Sequence, residues 1–423
     1  MFSITAMAAK KPLSELDLQS LTAEKKAETK VDRIPLIDYS KEVVTVVRVA
    51  VEKTRITLPE YAEIMKIKEP PLTKCRVVVE LKGVATAVAS ALRRAPLGEV
   101  QGRSLYIHAF RDEAADKKAA DDPFMVEEVL STRIRCIPLR FWVPDSVVRD
   151  ARFRLFVTND TESTKTVMSG DLTIVSGVQP EKKGAKSRGD SVLFNPTIEL
   201  AFIQPGHCLR VHDIRIREGY GRQGGEFRVA CLGTLRHLDI KEAPRAETHT
   251  RGGARADESG YLESTLIADP RHHEVGVTVP ATGPDPNEAV AVMLAACTNI
   301  IDRLRIILSA LKDVVLTSGE KDPAKGGEGV QFTLISQSDG SEGVLWVGGE
   351  THTVGNLLKR MIFELNPAVG FVDYTSRQHE NGIRVTVRDK GDVVALVRRG
   401  LERGIATFEK IHTGIRDARV EVL

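Results

Sequence analysis

The chain has 423 residues, 42% of them hydrophobic and 28% charged, enough to bury a large core in two or three domains. A formal charge of only +2 excludes a domain-wide basic field able to grip nucleic acid unaided. Five scattered cysteines (Cys75, Cys136, Cys208, Cys231 and Cys297), never spaced C-x-x-C, exclude a disulfide framework, argue against structural zinc and suit a reducing compartment.

Residues 1–30 are polar, alternate in charge and lack a core pattern, so they read as a tail. Ile34–Glu60 fits two templates. Val43, Val47, Ala50 and Thr54 share a helical face, while the β-branched run Val43–Val49 suits a strand; the spacing favours a helix. Cys75–Leu81 predicts a strand. After Gly83 comes a small-residue helix with Val88, Ala91 and Leu92 on one face, stopped by Pro96. Phe124–Leu139 reads as a short helix and a strand ending in Ile-Pro-Leu.

From Phe141 to Asp239 short alternating runs recur between Gly, Pro and Asn turns: Phe153–Thr158, Leu172–Ser176, Thr197–Phe202, Leu209–Arg217 and Glu226–Leu232. This is a β-rich region, and Lys182–Arg188 reads as a solvated hairpin tip within it. Gly219–Gly224 spells a dinucleotide fingerprint. A phosphate cradle needs a helix after it to supply amides and a dipole, and a strand-like run follows instead, so a hairpin turn is expected. Adjacent His272 and His273 point to opposite sides of an extended chain, so an interface or supporting role fits them better than one shared metal.

Val275–Val279 predicts a strand and Glu288–Leu311 a long helix, with Val292, Ala296, Ile300 and Leu304 in its stripe. Asn299, Asp302, Arg303 and Arg305 interrupt its most apolar stretch, which is therefore no membrane span. No stretch has the charged start, apolar middle and cleavage site of a signal peptide. Thr317–Gly329 reads as a flexible linker.

Beyond it, Val344–Val347 is strand-like and ends at Gly348-Gly349. The stretch E-T-H-T-V-G-N-L-L then heads a helix that Thr351 or Thr353 can cap, with Val354, Leu357, Leu358, Met361 and Leu365 in its stripe. Asn366-Pro367 stops it. Val369–Ser376 and Gly382–Asp389, parted by Asn381-Gly382, predict a hairpin, and Val393–Ile411 a last helix. Val88–Arg94 and Val354–Arg360 match position by position: apolar, small, polar, apolar, Leu, basic, Arg.

Two family resemblances rest on these motifs. Val330–Ile415, with E-T-H-T-V-G-N-L-L at its helix, resembles the small partner of the RNA polymerase assembly dimer: the eleventh eukaryotic subunit and the archaeal L subunit. The strand and helix ending Ser-Ala-Leu-Arg-Arg, the Ile-Pro-Leu segment and the long helix resemble the large partner: the third-largest eukaryotic subunit, archaeal D and bacterial alpha. The family has Asn where this chain has Ser90. Fusion of the pair resembles versions in large DNA viruses.

The resemblance implies an α+β fold: two alpha-subunit-type dimerisation domains in one chain forming a pseudo-two-fold pair, the first interrupted by a β-rich insertion domain. The segments would be residues 31–140 with 275–316, the insertion at 141–274, the linker at 317–329 and the second domain at 330–423. The dimerisation helices would use Val88, Ala91, Leu92, Val292, Ala296, Ile300, Leu304, His352, Thr353, Val354, Leu357, Leu358 and Met361. Arg93 and Arg94 would contact the second-largest polymerase subunit.

The implied function is a non-catalytic platform of a DNA-directed RNA polymerase, with no cofactor or metal of its own. It would dock the largest and second-largest subunits and small accessory subunits, touch no membrane, and meet nucleic acid only through the complex. Its implied location is intracellular: the virion and host cytoplasm (viral factory) or nucleus. The competing class is a nucleic-acid- or nucleotide-binding module built on the Gly219–Gly224 turn.

Overall fold

The computed structural model describes residues 43–54, 73–110, 126–141, 149–176, 193–238, 270–282, 285–313, 317–318, 329–337, 340–376 and 380–423. All of them belong to the compact unit Ser40–Leu423. The tail at 1–30, the basic stretch Lys182–Arg188 and most of the linker lie outside the described residues.

β1 (Thr45–Thr54) stands where a helix was favoured. Its β-branched residues win because strands lie on both sides of it, burying Val49, Ala50 and Val51 completely. β2 (Thr73–Lys82) pairs antiparallel with it. Gly83 then turns the chain with φ 76°, where an added Cβ would meet the Val43 carbonyl at 2.3 Å. α1 (Thr86–Gly98) runs past Pro96, because the Glu99 amide still reaches the Ala95 carbonyl and closes a last turn. β3 (Gln101–Ala109) carries no clear alternation in the sequence; its burial is also irregular, with Ser104 and Leu105 both covered.

α2 (Glu127–Arg135) begins with two acids and ends with arginines, matching its dipole. The residues after it, through Leu139, are not a strand. β4 (Arg152–Thr158), β5 (Lys165–Met168), β6 (Leu172–Ser176), β7 (Glu199–Ile203), β8 (Cys208–Tyr220), β9 (Leu232–His237) and β10 (His272–Thr282) follow. α3 (Pro286–Asp313) is the longest helix. β11 (Thr317–Ser318), β12 (Val330–Gln337) and β13 (Gly340–Gly348) precede α4 (His352–Leu365). β14 (Phe371–Thr375) and β15 (Gly382–Asp389) form the expected hairpin. α5 (Val393–Asp417), capped by Asp392 on the Ala395 amide, leads to β16 (Val420–Val422).

Two five-stranded sheets share one scheme. One runs β16-β1-β2-β10-β9, the other β11-β12-β13-β15-β14. In each, an antiparallel hairpin leads into a helix, a later strand returns beside the hairpin, and a short strand is added in parallel at the edge. Both additions cross over. β11 follows α3 yet pairs with β12, and β16 follows α5 yet pairs with β1. One hydrophobic core joins both sheets and α1, α3, α4 and α5.

A second core lies under the sheet β3-β8-β4-β6. It takes Leu105, Leu130, Ile134 and Ile137 from before residue 140, while β9 leaves this region to pair with β10. The β-rich body thus starts earlier, and ends earlier, than alternation alone suggests.

Candidate assembly interface

The paired signature helices lie against each other, and the matched positions have nearly matched burial. Val88, Ala89, Ala91 and Leu92 on α1 are buried, as are Val354, Gly355, Leu357 and Leu358 on α4. The small residue of the second copy has a reason: a Cβ on Gly355 would meet the Tyr374 ring at 2.4 Å. Thr353 and Met361 are also buried, but His352 is exposed and sets its ring edge-on to Tyr374 at 5.8 Å. Thr351, not Thr353, caps α4, its hydroxyl accepting from the Thr353 amide.

The long helices α3 and α5 cross where Gly404 faces Leu304, whose Cδ1 lies 3.1 Å from a built Cβ. Val292, Ala296, Ile300 and Leu304 are each at most 1% exposed. Val88, Ala91, Leu92, Val292, Ala296, Ile300, Leu304, Val354, Leu357, Leu358 and Met361 therefore enter one core, shared between the two sheets, with Leu365 packed against it.

Where α1 ends and α4 begins, that core is closed by buried charge. Arg303 of α3 forks onto Glu350 and places Nη1 2.9 Å from Glu99 Oε2. Thr351 donates to Glu99 at 3.0 Å, and Arg222 donates to the Gly349 carbonyl at 3.0 Å. Burial works against the Arg303 charge, but the hydrogen bond to Glu350 and the Glu350 and Glu99 charges outweigh it and raise its pKa. At the opposite end, where α4 stops near the start of α1, Glu364 accepts from Arg271 at 2.8 Å and from Arg403 at 3.1 Å. Sequence reading missed both clusters, because their partners lie up to 252 residues apart.

Arg93 and Arg94 differ. Arg94 is exposed, whereas Arg93 is half-buried with its stem and carbonyl against Gly233 of β9. The Gly219–Gly224 segment is the end of β8 and a turn, followed by a three-residue 3-10 helix and not the strand expected at Glu226. A Cβ on Gly221 would strike the Leu97 carbonyl at 2.3 Å, so this glycine serves close packing on α1. His272 donates to Glu80 at 2.6 Å. His273 is fully buried and donates from Nε2 to the Val84 carbonyl at 3.0 Å, leaving Nδ1 to accept from His237 Nδ1 at 2.9 Å.

Among the described residues no group of three His, Cys, Asp or Glu side chains is placed to hold a metal, and no helix is long and apolar enough to cross a membrane. Cys75, Cys208 and Cys297 are buried while Cys136 and Cys231 are exposed, and burial pushes the Cys297 thiol up to about 12. Maleimide added to the native protein should therefore label two thiols quickly and the other three only after denaturation, as counted by intact mass. Rapid labelling of Cys297 would contradict this packing.

The fold and its buried junction define an α+β protein whose two sheet-and-helix assemblies share a single core. No family model matches the chain. It is 31% identical over 350 residues to the "DNA-directed RNA polymerase RPB3-11 homolog" of African swine fever virus (strain Badajoz 1971 Vero-adapted), covering 82% of this chain and 89% of that protein. The protein of that name from isolate Pig/Kenya/KEN-50/1950 is 30% identical over 355 residues, covering 83% and 90%. The chain belongs to this family of RNA polymerase RPB3-11 homologues, and the expected relation to large DNA viruses holds.

Proposed function

We propose that the chain is the assembly platform of a multisubunit DNA-directed RNA polymerase, a fused dimer that docks the two catalytic subunits and performs no chemistry itself. The observation that carries this reading is the long match to the viral RPB3-11 homologues, which takes in 82% of this chain. The shared strand scheme supports a pseudo-two-fold relation: β1, β2, α1, β10, β9 and α3 correspond to β12, β13, α4, β15, β14 and α5. The crossed edge strands obey the same relation, each half lending the other one parallel strand. The sheet built from β3, β4, β6 and β8, with its own core, stands as the insertion.

Arg94 is the better placed of the two arginines for the second-largest subunit, since an exposed guanidinium fork binds carboxylates and carbonyls of a partner. The largest subunit and small accessory subunits are the remaining partners. The site of action is the interior of the infected cell, in cytoplasmic factories or the nucleus, and the virion.

Purification of the tagged chain from its native source should bring both large subunits with it, and their absence would overturn the platform reading. Arg94→Glu should cut recovery of the second-largest subunit at least tenfold while leaving the melting temperature unchanged, because reversal puts like charge at the contact without touching the core. Arg93→Glu should instead lower stability, since it would place an acid beneath β9. Equal recovery by the Arg94 variant would remove that residue from the contact.

A further inference from the structure

The sheet β3-β8-β4-β6 covers its second core with one face only. On β4 the alternation is strict: Phe153, Leu155 and Val157 point into the core, while Arg152, Arg154 and Phe156 are exposed on the other face. β8 adds Arg215 directly opposite Arg152, and Arg210 directly opposite Phe156.

Opposed arginines repel unless an anion lies between them. Within the chain that anion is Asp213, which accepts from Arg215 at 2.6 Å. The Arg215 hydrogen bond, joined by the charges of Arg215 and Arg152, holds the Asp213 carboxyl below the usual range. Asp213 sits beside the Arg215 and Arg152 guanidiniums, and Arg154 has no acidic partner among the described residues. Beside this charge Phe156 is 52% exposed, with the Arg210 guanidinium 5.0 Å over its ring.

A near-neutral chain thus concentrates cations on one face, with Arg152 and Arg154 two residues and about 6.8 Å apart along β4. We propose that this face binds a single strand of nucleic acid, with phosphates on Arg152, Arg154 and Arg215 and a base stacked at Phe156 and Arg210. An acidic protein segment would meet the same charge, but protein partners take most of their affinity from apolar anchors seated in pockets. Here the central apolar group is a single open ring against a guanidinium, the arrangement that receives bases without regard to sequence. The contact goes beyond the platform role, which requires no nucleic acid on this sheet.

The test uses the full chain and fluorescent 20-nucleotide probes, uridine RNA and thymidine DNA, read by anisotropy between 50 and 200 mM salt. About three phosphate contacts predict a log–log salt slope of roughly −2 for single strands. Arg152→Glu with Arg154→Glu should weaken binding at least tenfold and flatten the slope to about −0.7. Phe156→Ala should weaken it about tenfold with the slope unchanged, and being uncharged it separates stacking from electrostatics. Both variants should still recover the large subunits, so this contact and the platform reading fail separately. A preference for one probe assigns the strand as RNA or DNA. Binding that ignores all three substitutions, absence of binding at 50 mM salt, or a polyglutamate competitor that binds as tightly as either probe would overturn the proposal.

Discussion

Replacing Arg303 by methionine should destabilise the protein by about 3–5 kcal/mol, the loss expected when one partner of a buried ion pair is removed. Glu99 and Glu350, 8% and 11% exposed, would remain in the junction, where among the described residues only Arg222, 43% exposed and 3.7 Å from Glu99, is left to offset them. That is a large share of a domain stability of roughly 5–15 kcal/mol. The midpoint of urea unfolding at pH 7 should fall accordingly. Adding Glu99→Gln and Glu350→Gln should recover most of the loss, since no uncompensated charge is left. A deficit under 1 kcal/mol would show the cluster to be a surface-like ion pair.

The elements with strong local periodicity were legible in the sequence. α3, α4, α5 and the β14–β15 hairpin stand within a few residues of their predicted places, because a helical stripe or an Asn-Gly turn is set by neighbours in the chain. β1 was misread since Val43, Val47 and Ala50 share a helical face while the β-branched run Val43–Val49 suits a strand, and only strands supplied by β2 and β16 decide between them. β3 escaped notice for a related reason: its covering residues come from β8 and α2, distant in sequence. Pro96 misled at the helix end, because a proline removes one amide without preventing the last turn.

The candidate site divides in the same way. Its apolar half, from Val88 to Met361, could be read from spacing. The charges that close it could not, as Arg303 looked like an interruption in an apolar helix and proved to be the counterion of two acids from other elements. Net charge likewise concealed the arginine face of β4, whose acids and bases cancel over the whole chain but not over the sheet.

Severing the tether should leave the two halves bound. The cut falls within residues 319–328, after β11 and before β12, so each fragment keeps the strand that it lends to the other. Residues 1–318 and 329–423, expressed together, should co-elute at micromolar concentration. Their association would rest on α3 and α5 and on the sheets around them, since Ile300, Leu304, Leu401 and Phe408 lie in one core that neither fragment closes alone. An obligate interface of ~2,000 Å², at ~25 cal/mol per Å² of apolar area, outweighs the roughly 4–15 kcal/mol lost with rigid-body freedom. The tether then adds effective concentration, on the order of millimolar. Either fragment alone should aggregate with its stripe exposed. Trimming residues 419–423 from the second fragment removes the register Val49–Val420 to Val51–Val422 and the bond from the Leu423 amide to the Val51 carbonyl at 3.0 Å. At about 1 kcal/mol per bond, that trimming should raise the Kd tenfold or more. Two stable monomers that ignore each other would dismiss the fused-dimer reading, and a trimmed fragment that binds undiminished would dismiss the exchanged strand as a clamp.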